Sequence, residues 1–473
     1  MQTSPTHQTL VMKFGGTSVG SVVAYQQVID IVKNAKMDWQ HVIVVISAMS
    51  GITDLLIDSA VKASQGDDET FTQSAQVLRK RHTAILEELV PDLSLQVQTK
   101  QRFNTLISTF TNFCQAIAIL GEATPRAMDA VVSLGERLNI HLLQAILESA
   151  GVLSKGVEST HCIVTDNQYQ AARPDMLETK KRTQQVIFPL LAEGFVPVVT
   201  GFIGSTPDGV ITTLGRGGSD YSAAILGISL NADAVWVWTD VDGVMTADPR
   251  IVKNARTLPQ LTYSEVAEMA NFGAKVLHPK TIHPIVEAKI NLRVCNTFNP
   301  QNPGTLITSD DLMDTSGKLK AVATIRGLRL VTIKGRGMLG VPGVAARIFS
   351  AVATTGASVP LIAEASSEQS ICFAITDPLA GAAIKAIENE MAAEIANKDI
   401  DAITATDEVV IVTLVGPGMR NTVGIAGKIF MTLAENQINV ISISYGSSDL
   451  SVSLVVMVED LHRTVNALHI LID

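Results

Sequence analysis

The chain has 473 residues, enough for about three domains. Apolar residues make up 47% and charged residues 17%, which supplies large cores and excludes a chiefly disordered chain. Its 46 acidic against 36 basic residues give a formal charge of -10, the wrong sign for gripping a phosphate backbone, so nucleic acid is excluded as an expected partner.

The opening MQTSPTHQTL has neither a cationic start nor an apolar core, and no run reaches the roughly 18 apolar residues of a spanning helix, so no membrane association and a cytoplasmic location are expected. Next come four short β-branched runs, LVMKF, HVIVVISAM, GFVPVVTGF and AVWVWTD, separated by helix-like stretches. That alternation predicts parallel strands with helices on both faces. Between about Thr53 and Val132 the pattern turns continuously helical, which predicts an insertion beside the sheet. Cys114, Cys162, Cys295 and Cys372 form no CxxC pair, and are expected to be buried thiols of a reducing compartment. From Asn299 to Lys318 the sequence gathers Pro, Gly, Asn, Asp and Ser, and the main domain boundary is expected there.

Beyond it lies an internal repeat at a constant offset of 81 residues. GMLGVPGVAARIF from Gly337 matches GMRNTVGIAGKIF from Gly418, and SVPLIAEASSEQS from Ser358 matches NVISISYGSSDLS from Asn439. Each copy reads strand, glycine turn, helix, strand, turn, strand, helix. DAITATDE from Asp401 is predicted to close the first copy, and LKAVATI from Leu319 the sheet of the second.

Four stretches carry candidate chemistry. KFGGTSVG, Lys13 to Gly20, places a lysine and a glycine turn at a strand end, where it is expected to open a helix and let backbone amides approach an anion. SAMSGITD sets Ser47 and Thr53 at the end of the second strand. TTLGRGGSDYSAA packs Arg216, Gly217, Gly218, Ser219 and Asp220 into one turn, and arginine offers a two-pronged fork for a carboxylate. WTDVDGVMTADPR carries Thr239 with the acidic Asp240, Asp242 and Asp248, groups suited to a ribose, a metal or turns.

With SLGERL and NFGAKVLHP, these motifs occur in one order ahead of the repeat. The chain resembles the aspartate kinases of the amino acid kinase family, followed by two ACT domains, from about Val11 to its C-terminus. The resemblance implies an α/β fold, a three-layer α/β/α sandwich with a mainly parallel sheet, then two ferredoxin-like α+β ACT domains. It divides the chain into a catalytic region at 1–305 with the helical insertion at 54–132, a linker at 306–325, and ACT domains at 326–406 and 407–473. The implied reaction transfers the γ-phosphoryl of ATP, with Mg2+, to the β-carboxylate of L-aspartate.

By the same resemblance Lys13 stabilises the moving phosphoryl group, with Gly15 and Gly16 donating amides, and Asp220 organises the reacting groups. Arg216, flanked by Gly217, Gly218 and Ser219, binds the substrate α-carboxylate, Glu136 takes its ammonium, and Ser47 and Thr53 complete the pocket. Thr239 and Asp240 meet the adenosine, and Arg250, Lys275 and Val276 lie at the ATP phosphates. Met245 replaces a tyrosine common in relatives. No dedicated metal ligand is assigned. Seen alone, Glu136 reads equally well as an exposed helix carboxylate and Lys275 as a solvated lysine.

The ACT pair implies feedback control by an amino acid at the seam between copies, with Met338, Val341, Gly343, Ser358, Val359 and Glu364 in one copy and Asn439, Val440 and Tyr445 in the other. Pro360 stands where lysine-responsive relatives carry an aspartate, so threonine is favoured over lysine. A homodimer or higher homo-oligomer through these domains is expected, without the homoserine dehydrogenase fused to some relatives. The rival expectation is a sensor that binds amino acids and catalyses nothing.

Overall fold

The computed structural model describes residues 7–273, 277, 279–309, 318–338, 341–364, 369–445 and 449–472, with the side chains at 7, 279, 280, 283 and 364 excepted. Contacts divide the chain into two compact units. The first is Met1–Val244, Pro259–Tyr263 and Val276–Ser309, and the second is Met245–Leu258, Ser264–Lys275 and Asp310–Asp473.

The first unit runs β1 (His7–Phe14), α1 (Val22–Asp38), β2 (Trp39–Ile46), α2 (Ile52–Ser64), α3 (Asp68–Leu89), α4 (Leu93–Leu120), α5 (Pro125–Val132), α6 (Leu134–Ser149), β3 (Ser154–Val157), α7 (Met176–Ala192) and β4 (Val196–Thr200). It continues through a hairpin of β5 (Ile203–Ser205) and β6 (Ile211–Thr213), then α8 (Gly218–Ser229), β7 (Ala234–Thr239) and β8 (Gln260–Thr262). α9 (Tyr263–Asn271) passes into the second unit, and α10 (Pro279–Glu287), β9 (Asn291–Asn296) and β10 (Thr305–Thr308) complete the first.

The sheet order is β3-β4-β2-β1-β7-β9-β10-β8, parallel throughout except for the β9 and β10 pair. Central strands buried on both faces need continuous apolar runs, and Leu10–Met12 and Val42–Ile46 are all buried. The insertion is helical, as expected. α3, α4, α5 and α7 begin at Asp67, Asp92, Thr124 and Asp175, whose side chains accept from first-turn amides. α4 is long and apolar enough to cross a membrane by length and composition. Here its Phe103, Ile107, Phe110 and Cys114 join Phe71 and Leu78 of α3 in the main core.

In the second unit β11 (Ala321–Lys334) is one long strand serving both repeats. Ala321–Ile325 pairs with β15 (Val409–Val415), so the LKAVATI segment does close the second copy. Leu328–Lys334 pairs with β13 (Ser370–Thr376), and Val331–Lys334 with β14 (Ala402–Ala405). A register shift between Ile325 and Leu328, at Gly327 with φ +69°, joins the two halves. The repeats therefore share one sheet, β12-β13-β11-β15-β17-β16, with β12 (Leu361–Glu364), β16 (Ser442–Ser444) and β17 (Ser451–Met457).

Structural correspondence follows the sequence offset. Ser370–Thr376 plus 81 gives Ser451–Met457, and α11 (Val344–Ala353) starts 81 residues before α14 (Ile425–Glu435). α12 (Asp377–Glu390), α13 (Ala392–Ala396) and α15 (Leu461–His469) complete the unit. One core gathers Val331, Ile348, Phe373 and Ile387, the other Val412, Ile429, Leu454 and Leu468.

The sequence reading places the boundary in the stretch from Asn299 to Lys318, with a linker at 306–325, whereas by contacts the segments Met245–Leu258 and Ser264–Lys275 also belong to the second unit. Ala247, Ile251 and Val252 insert into the core of the second repeat, and Thr246 Oγ1 lies 2.8 Å from His469 Nε2. Three cysteines are buried, while Cys372 is only half-buried. Burial pushes the Cys114, Cys162 and Cys295 thiols up to about 12.

Candidate functional site

The carboxyl ends of β1, β2, β4 and β7 lie along one edge of the sheet, joined by hydrogen bonds. Gly15 N–H donates to the Trp238 carbonyl at 3.1 Å, Ser47 N–H to Phe14 at 3.2 Å, and Gly201 N–H to Ile46 at 2.9 Å. β1 has β2 on one side and β7 on the other, so connections leave to opposite sides there, the kind of switch point at which open α/β sheets bind ligands.

Lys13, near the end of β1, is 8% exposed, and its Nζ lies 2.6 Å from Oδ1 of Asp220 in the first turn of α8. Of the two glycines that follow, Gly16 is the one held tightly. A Cβ on Gly15 would stand 3.5 Å from the Lys13 Nζ, and one on Gly16 only 3.0 Å from the Ala48 carbonyl. Two expectations need correction. The glycine turn leads into a short 3-10 turn at Thr17–Val19, and α1 starts only at Val22, capped by Ser21. The Gly15 amide is already bonded to the Trp238 carbonyl, so it is not a free donor.

Glu136 lies in the first turn of α6 and is 3% exposed, which removes the reading as a surface carboxylate. Gly135 lets the helix approach, since a Cβ there would meet the Ala48 side chain at 2.8 Å. Burial raises the Glu136 pKa to about 8, opposed by the amide of Ala48, its own amide and the charge of Lys13. Its Oε2 is buried without a hydrogen-bond partner among the described residues. A buried orphan oxygen is costly unless something fills the gap, and an ammonium has the right charge and donors.

Ser47 follows β2 and is half-buried. Its carbonyl accepts from Asn139 Nδ2 at 2.6 Å, and the Asn139 Oδ1 accepts from the buried Tyr25 hydroxyl. Thr53 sits half-buried in the first turn of α2, after Gly51 with φ +78°.

Arg216 is exposed between Gly215 (φ +78°) and Gly217 (φ +70°), conformations that glycine adopts without strain. Gly218 starts α8 tightly against Phe202, where a Cβ would lie 2.6 Å from the ring, and Ser219 packs against Gly201. Sequence reasoning missed the support beneath this turn. Asp129 of α5 is 1% exposed, and its carboxylate accepts from Thr213 and from Gln170.

At the end of β7 the Thr239 hydroxyl donates to Asp240 at 3.2 Å. Asp242, whose role the sequence left open, accepts from Asn296 at 2.7 Å and Asn299 at 3.0 Å, holding this loop to the end of β9. Met245 and Arg250 belong to the second unit. Met245 bridges to Thr257, and the exposed Arg250 grips Asp248 through Nε at 2.9 Å and Nη2 at 2.7 Å. Lys275 and Val276 lie outside the described residues.

The expected effector positions lie at matching places in the repeats. Met338 is buried, Val341 exposed, and Gly343, with φ +89°, caps α11. Ser358 and Val359 precede β12, and Glu364 ends it. Asn439 and Val440 precede β16, and the Tyr445 hydroxyl donates to the Met419 carbonyl at 3.0 Å. An open cleft of about 700 Å3, lined by His141, Lys155, Glu158 and Arg182, lies beside edge strand β3 and contains none of the candidate residues. A buried ion pair and an orphaned carboxylate oxygen, not cleft size, therefore mark the candidate site.

The amino acid kinase family profile matches residues 8–296, and the ACT domain profile matches 331–391 and 412–470. The bifunctional aspartokinase/homoserine dehydrogenase 1, chloroplastic, of Arabidopsis thaliana is 36% identical over 467 residues, covering 97% of this chain and 50% of the relative. The chain thus spans about half the length of such relatives. The aspartokinase of Schizosaccharomyces pombe is 30% identical over 99% of this chain and 93% of its own. The crystal structure of E. coli aspartokinase III in complex with aspartate and ADP, in the R-state, superposes with a TM-score of 0.80 at 30% identity, covering 98% of this chain and 99% of that one.

Proposed function

The chain belongs to the amino acid kinase family, in its aspartokinase branch with paired ACT domains, and from that premise we propose that it phosphorylates the β-carboxylate of L-aspartate with ATP to give 4-phospho-L-aspartate. One observation carries this reading. A buried, unsatisfied carboxylate, Glu136, stands within electrostatic reach of a lysine paired with Asp220 at the sheet edge.

The chemistry suits these groups. An aspartate side chain with a pKa near 4 is ionised at neutral pH, so the nucleophile needs no general base. Its oxygen forms the bond to the γ-phosphorus as the bond to the bridging oxygen breaks, and ADP leaves with that electron pair. Lys13 places positive charge where negative charge spreads over the phosphoryl oxygens, and Asp220 fixes that ammonium. Glu136 receives the substrate ammonium, Arg216 the α-carboxylate, and Ser47, Thr53, Gly217, Gly218 and Ser219 frame the rest. Gly16 lines the phosphate path, and Thr239 and Asp240 meet the adenosine. Met245, Arg250, Lys275 and Val276 are the second group of nucleotide contacts. Magnesium, when bound with the nucleotide, neutralises phosphate charge.

An amino-acid effector acts through the repeats, threonine in preference to lysine because Pro360 offers no carboxylate to an ε-ammonium. Exposed Ile362 and Ile443 on the end strands β12 and β16 support pairing of the repeats in a homo-oligomer. A reducing, cytoplasm-like compartment suits the free thiols.

The test is ADP release with Mg-ATP and a panel of aspartate, glutamate, N-acetylglutamate and carbamate. Aspartate-dependent turnover supports the reading. Binding of amino acids without turnover of any acceptor replaces it with a sensor. Threonine and lysine added to the same assay, with thermal shift as a binding readout, decide the effector. An unchanged rate and melting temperature with threonine would exclude it.

A further inference from the structure

Asp129 touches none of the groups expected to meet substrate, yet it joins the two segments on which the Arg216 turn rests. Its carboxylate accepts from the Thr213 amide at 2.9 Å, the Thr213 hydroxyl at 2.7 Å, and the Gln170 amide at 3.0 Å to Oδ2 and 3.2 Å to Oδ1. Thr213 is the last residue of β6, two positions before Gly215. Gln170 holds a left-handed backbone, φ +68°, uncommon for a residue with a side chain. Its carbonyl oxygen would stand only 2.9 Å from a Cβ on Gly215, so it packs directly against the turn. The turn then closes with the Gly218 amide on the Gly215 carbonyl at 2.9 Å and passes into α8 and Asp220.

We infer that Asp129 is a positioning residue for substrate binding: by locking Thr213 and Gln170 together it fixes the Gly215–Gly217 turn, and so places the Arg216 guanidinium for the substrate α-carboxylate. The inference rests on the proposed role of Arg216 in aspartate binding. A side chain that only filled the core would affect folding without singling out one substrate. A carboxylate that collects three donors from two segments beside the turn constrains that turn specifically. Hydrogen bonds to a charged acceptor are the stronger kind, and small misplacements of a substrate clamp have large effects on binding and rate.

The donor pattern separates two substitutions. In Asp129→Asn the amide oxygen, placed at Oδ2, keeps both backbone N–H bonds, and the amide NH2, placed at Oδ1, donates to the Thr213 hydroxyl. Asp129→Ala loses all of them. Steady-state kinetics with aspartate and Mg-ATP varied separately are the test. Asp129→Ala is expected to raise the aspartate KM about tenfold or more, with the ATP KM within about twofold of the parent, and Asp129→Asn to restore the aspartate KM to within about threefold.

Should Asp129→Ala fail to fold, Thr213→Val decides, because it deletes one donor and keeps the backbone N–H. A rise of about threefold in the aspartate KM alone supports the inference, and no change overturns it. Equal rises in both KM values, a lower active fraction with unchanged KM, or an Asn variant as impaired as Ala also overturns it. An active parent with any of these results sinks this inference alone. A parent that neither turns over nor binds aspartate removes the functional reading beneath it.

Discussion

Glu136 offers a pH test whose sign and size follow from its burial. Its carboxyl is 3% exposed and titrates at about 8 in place of 4.5. A group with that pKa is about one-hundredth ionised at pH 6 and one-tenth at pH 7, and it levels towards full ionisation above about pH 8. An ammonium pairs only with the ionised form, so apparent affinity scales with that fraction. The aspartate KM should therefore fall about tenfold from pH 6 to pH 7, or about 1.4 kcal/mol, and flatten above about pH 8. Glu136→Gln keeps the shape and removes the titration, so its aspartate KM should be high and flat.

The same shift predicts a stability effect in the ligand-free protein. The folded carboxyl keeps a proton that the unfolded chain releases near 4.5, so stability is lost as pH rises from there through about 8. Melting temperatures of the parent should fall across that window more than those of Glu136→Gln. Initial rates at saturating Mg-ATP, with ADP detection between pH 6 and pH 8.5, measure the kinetic part. A flat parent KM, or an equal slope in the Gln variant, would refute the assignment of Glu136 to the substrate ammonium.

Other perturbations give separable outcomes. Lys13→Ala removes the charge beside Asp220 and should lower kcat about 100- to 1000-fold, measured at saturating substrates. Asp242→Ala releases Asn296 and Asn299 from the loop after β7, and should raise the ATP KM about fivefold while sparing that of aspartate. Lys320 pairs at 2.6 Å with the fully buried Glu265 in the second unit. Lys320→Met deprives that buried carboxylate of this ammonium and should cost about 3 kcal/mol in denaturant unfolding, with recovery in Lys320→Met/Glu265→Gln.

The strand ends, glycine turns and helix starts that carry the candidate residues were legible in the sequence, because such features impose local spacing. The parallel strands and the repeat were legible for the same reason. The supporting contacts were not. Asp129 meets partners 41 and 84 residues away, Asn139 meets Ser47 at a separation of 92, and Tyr25 meets Asn139 at 114. No local pattern announces such pairs. The Gly15 amide misled for a related reason, since the carbonyl that occupies it belongs to Trp238 in the neighbouring strand. Interleaving of the two units was hidden because Ile251 and Val252 look like ordinary loop apolars until the core of the second repeat surrounds them.

The most direct test of the account is hydroxylamine trapping of the acyl phosphate formed from Mg-ATP and L-aspartate, comparing the parent with Lys13→Ala. The account predicts aspartyl hydroxamate in step with ADP release in the parent and almost none in the variant. ADP release without hydroxamate, or equal hydroxamate from both proteins, would contradict it.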